Sequence, residues 1–124
     1  MSAKFFRSQT GFHAGLSAEA SVARDYERRG YRILHRRWRG QSGEVDLIAV
    51  GPSHEMAFVE VKKSRSFDHA AQRLAGRQAR RICRAAEEFL ETQPMGTLTD
   101  SRFDVALVDA SGATQIIENA FQAL

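Results

Sequence analysis

The chain is short of cysteine, of lysine and of long apolar runs, and each shortage narrows what it can be. Its single cysteine, Cys83, excludes an intramolecular disulfide framework and a cysteine-rich zinc site, which favours the cytoplasm. No apolar stretch approaches the roughly 20 residues of a membrane span. The opening residues MSAKFFRSQTGFHAG contain no long apolar segment of the signal-peptide kind. There is no glycine-rich phosphate loop and no GxSxG elbow. The four histidines, His13, His35, His54 and His69, lack metal-ligand spacing. Cys83 sits among alanines on a helical stretch and reads as packing, not as a nucleophile. With 124 residues, 43% hydrophobic and 27% charged, the chain fits one globular domain. Residues 1–12 read as a flexible lead-in and 13–124 as the domain.

The charge is unevenly spread. Residues 1–84 carry 17 Lys/Arg against 8 Asp/Glu, and residues 85–124 carry 1 against 7, so the two parts differ in sign, +9 and −6. Fifteen of the 18 basic residues are arginine, whose planar fork matches phosphate oxygens. A solvated surface in which arginine replaces lysine would give the same counts. The basic stripe gains meaning from what it flanks.

Taken in order, the chain reads as α-β-β-β-α-β-β. Leu16, Ala20, Ala23 and Tyr26 make a narrow helical stripe over about residues 13–29, which Gly30 ends. Glu19 lies on or beside that stripe, as an inward acid or an edge glutamate paired with an arginine. Tyr31–Arg39 is a strand whose Arg36, Arg37 and Arg39 surround Trp38, as on nucleic-acid surfaces or on a charged protective edge. Strands Glu44–Val50 and Met56–Lys62 follow, joined through Gly51-Pro52. A long helical region runs from about Asp68 to Thr92, with Ile82, Ala85 or Ala86, Phe89 and Leu90 facing the sheet. Its arginines come early and its glutamates late, against the helix dipole. Arg102–Val108 and Thr114–Ile117 are the last strands. The first three strands suggest a meander and the fourth a parallel return, giving a mixed five-stranded α/β sheet flanked by helices.

The centre is Gly43–Lys62, GEVDLIAVGPSHEMAFVEVK. Alternation puts Glu44 with Asp46, and Glu60 with Lys62, while Val45, Leu47, Val59 and Val61 point the other way. Carboxylates set in apolar strands need partners. Asp46 and Glu60 suit Mg²⁺ or Mn²⁺, which take hard oxygen ligands and leave positions for water and phosphate. Lys62, two residues after Glu60, can orient the attacking water or stabilise developing negative charge.

These features, with Ala18-Glu19, Arg29-Gly30-Tyr31-Arg32-Ile33-Leu34, Gly43-Glu44-Val45-Asp46, Phe58-Val59-Glu60-Val61-Lys62, Arg77-Gln78, Arg102-Phe103-Asp104 and Ile117-Glu118-Asn119-Ala120-Phe121, resemble the YraN family of small bacterial endonuclease-like proteins. That family falls within the PD-(D/E)xK, restriction-endonuclease-like superfamily. The resemblance spans about residues 15–121 and implies a restriction-endonuclease-like core. It implies Asp46 and Glu60 as metal-binding acids, Lys62 as the catalytic lysine and Glu19 as a further ligand or water-orienting group. Glu44 and Gln78 would support them. The chain has Ala18 where the family has glycine, Arg77 where it has lysine, and a shorter Lys62–Gln78 segment carrying Phe67-Asp68. The function implied is a metal-dependent nuclease on DNA, including branched or damaged DNA, with Arg36, Arg37, Arg39, Lys63, Arg65, Arg77, Arg80 and Arg81 holding the nucleic acid. The alternatives are a nucleic-acid-binding protein on the same fold with little or no catalysis, and a structural or interaction domain whose acids pair internally with arginines. Phe121 and Leu124 are candidate apolar contacts for a homodimer.

Overall fold

A five-stranded sheet in the order β1-β2-β3-β4-β5 forms the backbone of the protein. The computed structural model describes residues 18–63 and 76–120, the side chains of 76–78 excepted. Helix α1 is described over residues 18–28. Next come β1 (Arg32–Arg39), β2 (Glu44–Val50), β3 (Met56–Lys63), helix α2 (Gly76–Leu90), a 3₁₀ turn (Gly96–Leu98), β4 (Ser101–Val108) and β5 (Thr114–Ile117). The lead-in over residues 1–12, the start of the first helix and the helical turns anticipated over 68–75 lie outside the described residues. So do Arg65, Phe121 and Leu124.

The expected meander and return are both present. β1 pairs with β2 and β2 with β3 antiparallel, β3 with β4 parallel, and β4 with β5 antiparallel. A parallel neighbour requires a crossover, and α2 lies within it. β3 is the central strand, and Met56–Glu60 are buried, as a strand covered on both faces must be.

Each helix covers one face. Val22, Ala23 and Tyr26 of α1 pack with Leu47, Val59, Ala106 and Val108. The helix ends where Gly30 takes φ 91° and the Tyr31 amide donates to Tyr26 O at 3.0 Å, the six-to-one bond of a glycine-capped terminus. On the other face, Ala85, Ala86, Phe89 and Leu90 of α2 meet Ile48, Met56 and Phe58. The Phe89 ring stands edge-on to Phe58, Trp38 and His35 at centroid distances of 6.1, 5.4 and 5.3 Å.

Alternation fails in β1, where the register shifts between Ile33 and His35 so that Leu34 and His35 both meet the α2 side, and again in β2. Leu47, Val59 and Val61 pack towards α1 as expected, but Val45 joins the α2 cluster. Val45 lies beyond the last β2–β3 pair, so the β3 ladder no longer sets which way it faces. A polar anchor sits under α1. Asp104 is fully buried and accepts hydrogen bonds from Tyr26 Oη at 2.6 Å, Arg102 Nε at 2.9 Å and the Asn119 amide at 3.1 Å. Burial, then the Asp104 carboxylate, holds the Tyr26 hydroxyl protonated well above the ordinary tyrosine range. Among the described residues no helix is long and apolar enough to cross a membrane.

Candidate active site

The candidate acids meet where two strands stop pairing. β2 and β3 are in register from Val50 with Met56 to Leu47 with Val59. Past that pair the strands part, and the Val61 amide donates to Asp46 Oδ2 at 2.8 Å. A side chain has replaced the next rung of the ladder, and this fixes the Asp46 carboxylate between the strands. Glu60 and Lys62 follow on one face of β3, with Lys62 Nζ 3.2 Å from Glu60 Oε1. The Asp46 and Glu60 carboxyl groups are close enough to influence each other's ionisation.

Burial sets their electrostatics. It raises Asp46 above the usual aspartate range, against the Val61 amide and the Glu60 side chain, which favour the ionised form. Burial and then the Asp46 charge push Glu60 up to about 7, with Lys62 pulling downward. The two acids therefore titrate as a coupled pair.

Glu19 reaches the region from α1. It is buried, which raises its pKa, and Arg37 is the main opposing influence. Arg37 Nε lies 3.4 Å from Glu19 Oε1 and 3.6 Å from Glu44 Oε1. Arg37 takes φ 55°, a left-handed conformation that costs a non-glycine residue about 1–2 kcal/mol. Arg37 turns to the acids while its neighbour Trp38 packs under α2. Arg39 Nη2 is 3.5 Å from Glu44 Oε2. Two of the arginines expected to hold phosphate thus also contact acids of the site.

A cavity of about 600 Å³ opens over Asp46 and Glu60, bounded by Arg39, the Gly40–Gly43 turn, Glu44, and Arg81 and Ile82 of α2. The structure therefore gathers Asp46, Glu60, Lys62, Glu44, Arg39 and Arg81, with Glu19 and Arg37 beside them. Other candidates lie elsewhere. Arg36 is exposed on β1. Arg80 lines a separate cavity of about 390 Å³ with Cys83 and Phe103, and Lys63 lines a third beside the β4–β5 turn. The side chains of Arg77 and Gln78, like Arg65, lie outside the described residues. Cys83 is half-buried, and burial raises its thiol pKa, the opposite of an activated nucleophile.

One pair of residues at the cavity escaped the sequence reading. Glu88 of α2 accepts from the Ser42 amide at 3.1 Å and from Ser42 Oγ at 2.8 Å. Its spacing carried the signal: Glu88 is seven residues after Arg81, on the same helix face. Among the described residues no three His, Cys, Asp or Glu side chains stand together as a metal cluster; the convergent acids are two.

Comparison with known proteins decides the family. The chain matches the uncharacterised protein family UPF0102 over residues 18–108. It belongs to the UPF0102 family. This is the YraN family to which its motifs pointed. A UPF0102 protein of Roseobacter denitrificans is 56% identical over 118 residues, covering 95% of this chain and 91% of the relative. One from Ruegeria pomeroyi is 58% identical over 108 residues, 87% of each. The model matched by the chain includes Glu19, Asp46, Glu60, Lys62 and Asp104 within its span. The crystal structure of a repair endonuclease from Pyrococcus abyssi is similar in part, with a TM-score of 0.48 and 18% identity, covering 77% of this chain and 39% of that one.

Proposed function

We propose that this UPF0102 protein is a divalent-cation-dependent nuclease of the cytoplasm that hydrolyses phosphodiester bonds in DNA, with branched and damaged DNA among its candidate substrates. The observation that carries this reading is the meeting of Asp46, Glu60 and Lys62 where β2 and β3 part, beneath a cavity walled by arginine. Asp46 and Glu60 would hold Mg²⁺ or Mn²⁺. Their donor set fits: two convergent carboxyls of raised pKa carry more potential negative charge than Lys62 balances, and Mg²⁺ commonly binds through one or two carboxylates plus water. Glu19, close enough to feel the Asp46 charge, is the candidate further ligand. A cation bound there supplies Lewis-acid polarisation of the phosphodiester and acidifies water. Lys62 is positioned to orient the attacking water and to stabilise charge developing on the phosphate. Arg39 and Arg81 would hold neighbouring phosphates, and Glu44 and Gln78 would support the site.

The test is direct. Purified protein with Mn²⁺ is expected to cut at least one of linear, branched and single-stranded DNA. Asp46→Ala is expected to lower the rate about 100-fold, equivalent to roughly 2.7 kcal/mol of transition-state stabilisation. If every substrate stays intact and Asp46→Ala changes nothing, the nuclease reading fails. Salt-sensitive binding without cutting would put the nucleic-acid-binding alternative in its place.

A further inference from the structure

The Gly40–Gly43 turn carries side chains only at Gln41 and Ser42, and it forms one wall of the cavity over Asp46 and Glu60. It closes on itself through the Gly40 amide, which donates to Gly43 O at 2.9 Å. Its hydrogen bonds beyond the turn, among the described residues, include two from Ser42 to α2. Glu88 accepts two bonds from Ser42, at 3.1 Å from the amide and 2.8 Å from Oγ. A β-carbon at Gly40 would collide with the Glu88 carboxylate and lie 2.9 Å from the Trp38 ring. One at Gly43 would come within 2.8 Å of Arg81 Cγ. Glycine at both positions is what lets the turn sit flush against the helix. Glu88 is half-buried and accepts from the Ser42 amide and hydroxyl, so its charge is used to hold a turn.

We infer that Glu88 is a positioning residue for substrate: through Ser42 it locks the turn to α2, so that Arg39 and Arg81 face the carboxylates as a preformed wall for the nucleic-acid backbone. This deepens the nuclease reading and rests on it. Glu88 acts on polyanion binding and not on the cation, because it contacts neither Asp46 nor Glu60 in the described geometry. A residue that merely stabilised the fold would weaken every property together. A positioning residue separates them, in line with the cost of misplacing groups by about 1 Å.

The experiment compares wild type, Glu88→Ala, Ser42→Ala and Glu88→Gln in three measurements: melting temperature, Mn²⁺ binding by calorimetry, and binding and cutting of labelled DNA. Glu88→Ala is expected to raise KM for DNA about tenfold with kcat changed less than threefold and Mn²⁺ affinity changed less than twofold. Glu88→Gln keeps a carbonyl acceptor for Ser42 and is expected to recover most of the loss. Should Glu88→Ala fail to fold, Ser42→Ala carries the same test with a smaller effect, about threefold in KM. Wild-type KM in both alanine variants, or equal losses in KM, kcat and Mn²⁺ binding, overturns the inference and leaves the nuclease reading standing. A wild-type protein that neither binds nor cuts DNA overturns both.

Discussion

Glu60 lies 8% exposed between Asp46 and Lys62, so its protonated and ionised forms differ in cost far more than those of a surface glutamate. Its pKa stands at about 7 in the folded chain against the ordinary 4.5. A group raised on folding contributes stability that is fully present below the unfolded value, and that stability is lost as pH rises through the folded value. The window here is about pH 4.5 to 7. In metal-free protein Glu60→Gln is therefore expected to be more stable than wild type at pH 8, by up to ~3 kcal/mol. The gain should fade towards pH 4, where Glu60 is protonated in both folded and unfolded chains. Urea melts at the two pH values check this, and an equal difference at both would show that the carboxylate pair is not the cause. Mn²⁺ gives a second arm of the same measurement. It should raise the melting temperature of wild type at pH 8 and do little for Glu60→Gln, since binding only the folded state stabilises it.

The elements show why some of this was legible in sequence and some was not. Strand alternation and helical spacing are local, so the order α-β-β-β-α-β-β, the α2 face of Ile82, Phe89 and Leu90, and the shared face of Glu60 and Lys62 could be read from residue types alone. Which carboxylate meets which cation could not, because that depends on where pairing stops. Asp46 reaches Val61 only because β2 leaves β3 after Leu47, and the same departure carries Val45 to the α2 side. Arg37 could be counted as a base, but its left-handed backbone and its contacts with Glu19 and Glu44 appear only in the fold. Asp104 was visible as a motif residue without a role, and the fold gives it one. It ties α1, β4 and the turn after β5 through Tyr26, Arg102 and the Asn119 amide. Removing one partner of a buried ion pair costs about 3–5 kcal/mol, so Asp104→Ala should lower stability by that order. Tyr26→Phe loses one hydrogen bond and should cost about 1–2 kcal/mol. Denaturant midpoints test both. Mn²⁺ affinity should survive in Tyr26→Phe, because this anchor lies under α1, away from the cavity.

At the scale of the whole molecule, the lopsided charge has a spatial meaning. The acids of the last 40 residues are largely occupied or remote: Asp104 is buried with Arg102, Glu118 pairs with Arg102 and Arg29, and Glu88 holds the Ser42 turn. Among the described residues, Arg32 and Arg36 on β1 and Arg80, Arg81 and Arg84 on α2 are exposed to solvent. Sequence could only group Arg36, Arg37, Arg39, Arg80 and Arg81 together; the fold sorts them. Arg39 and Arg81 border the cavity over Asp46 and Glu60, whereas Arg80, one residue earlier and about 100° around the helix, lines a different cavity with Cys83 and Phe103. Each phosphate neutralised contributes about −0.9 to the slope of log K against log salt for duplex DNA. Arg81→Ala should therefore reduce the magnitude of that slope by about 1, and Arg39→Ala with Arg81→Ala by about 2, while Arg80→Ala leaves it unchanged. Binding titrations in a non-cutting Asp46→Ala background over ~50–200 mM salt make the comparison. Equal effects at Arg80 and Arg81 would mean that the DNA lies across the outside of α2 and that the cavity is not its path.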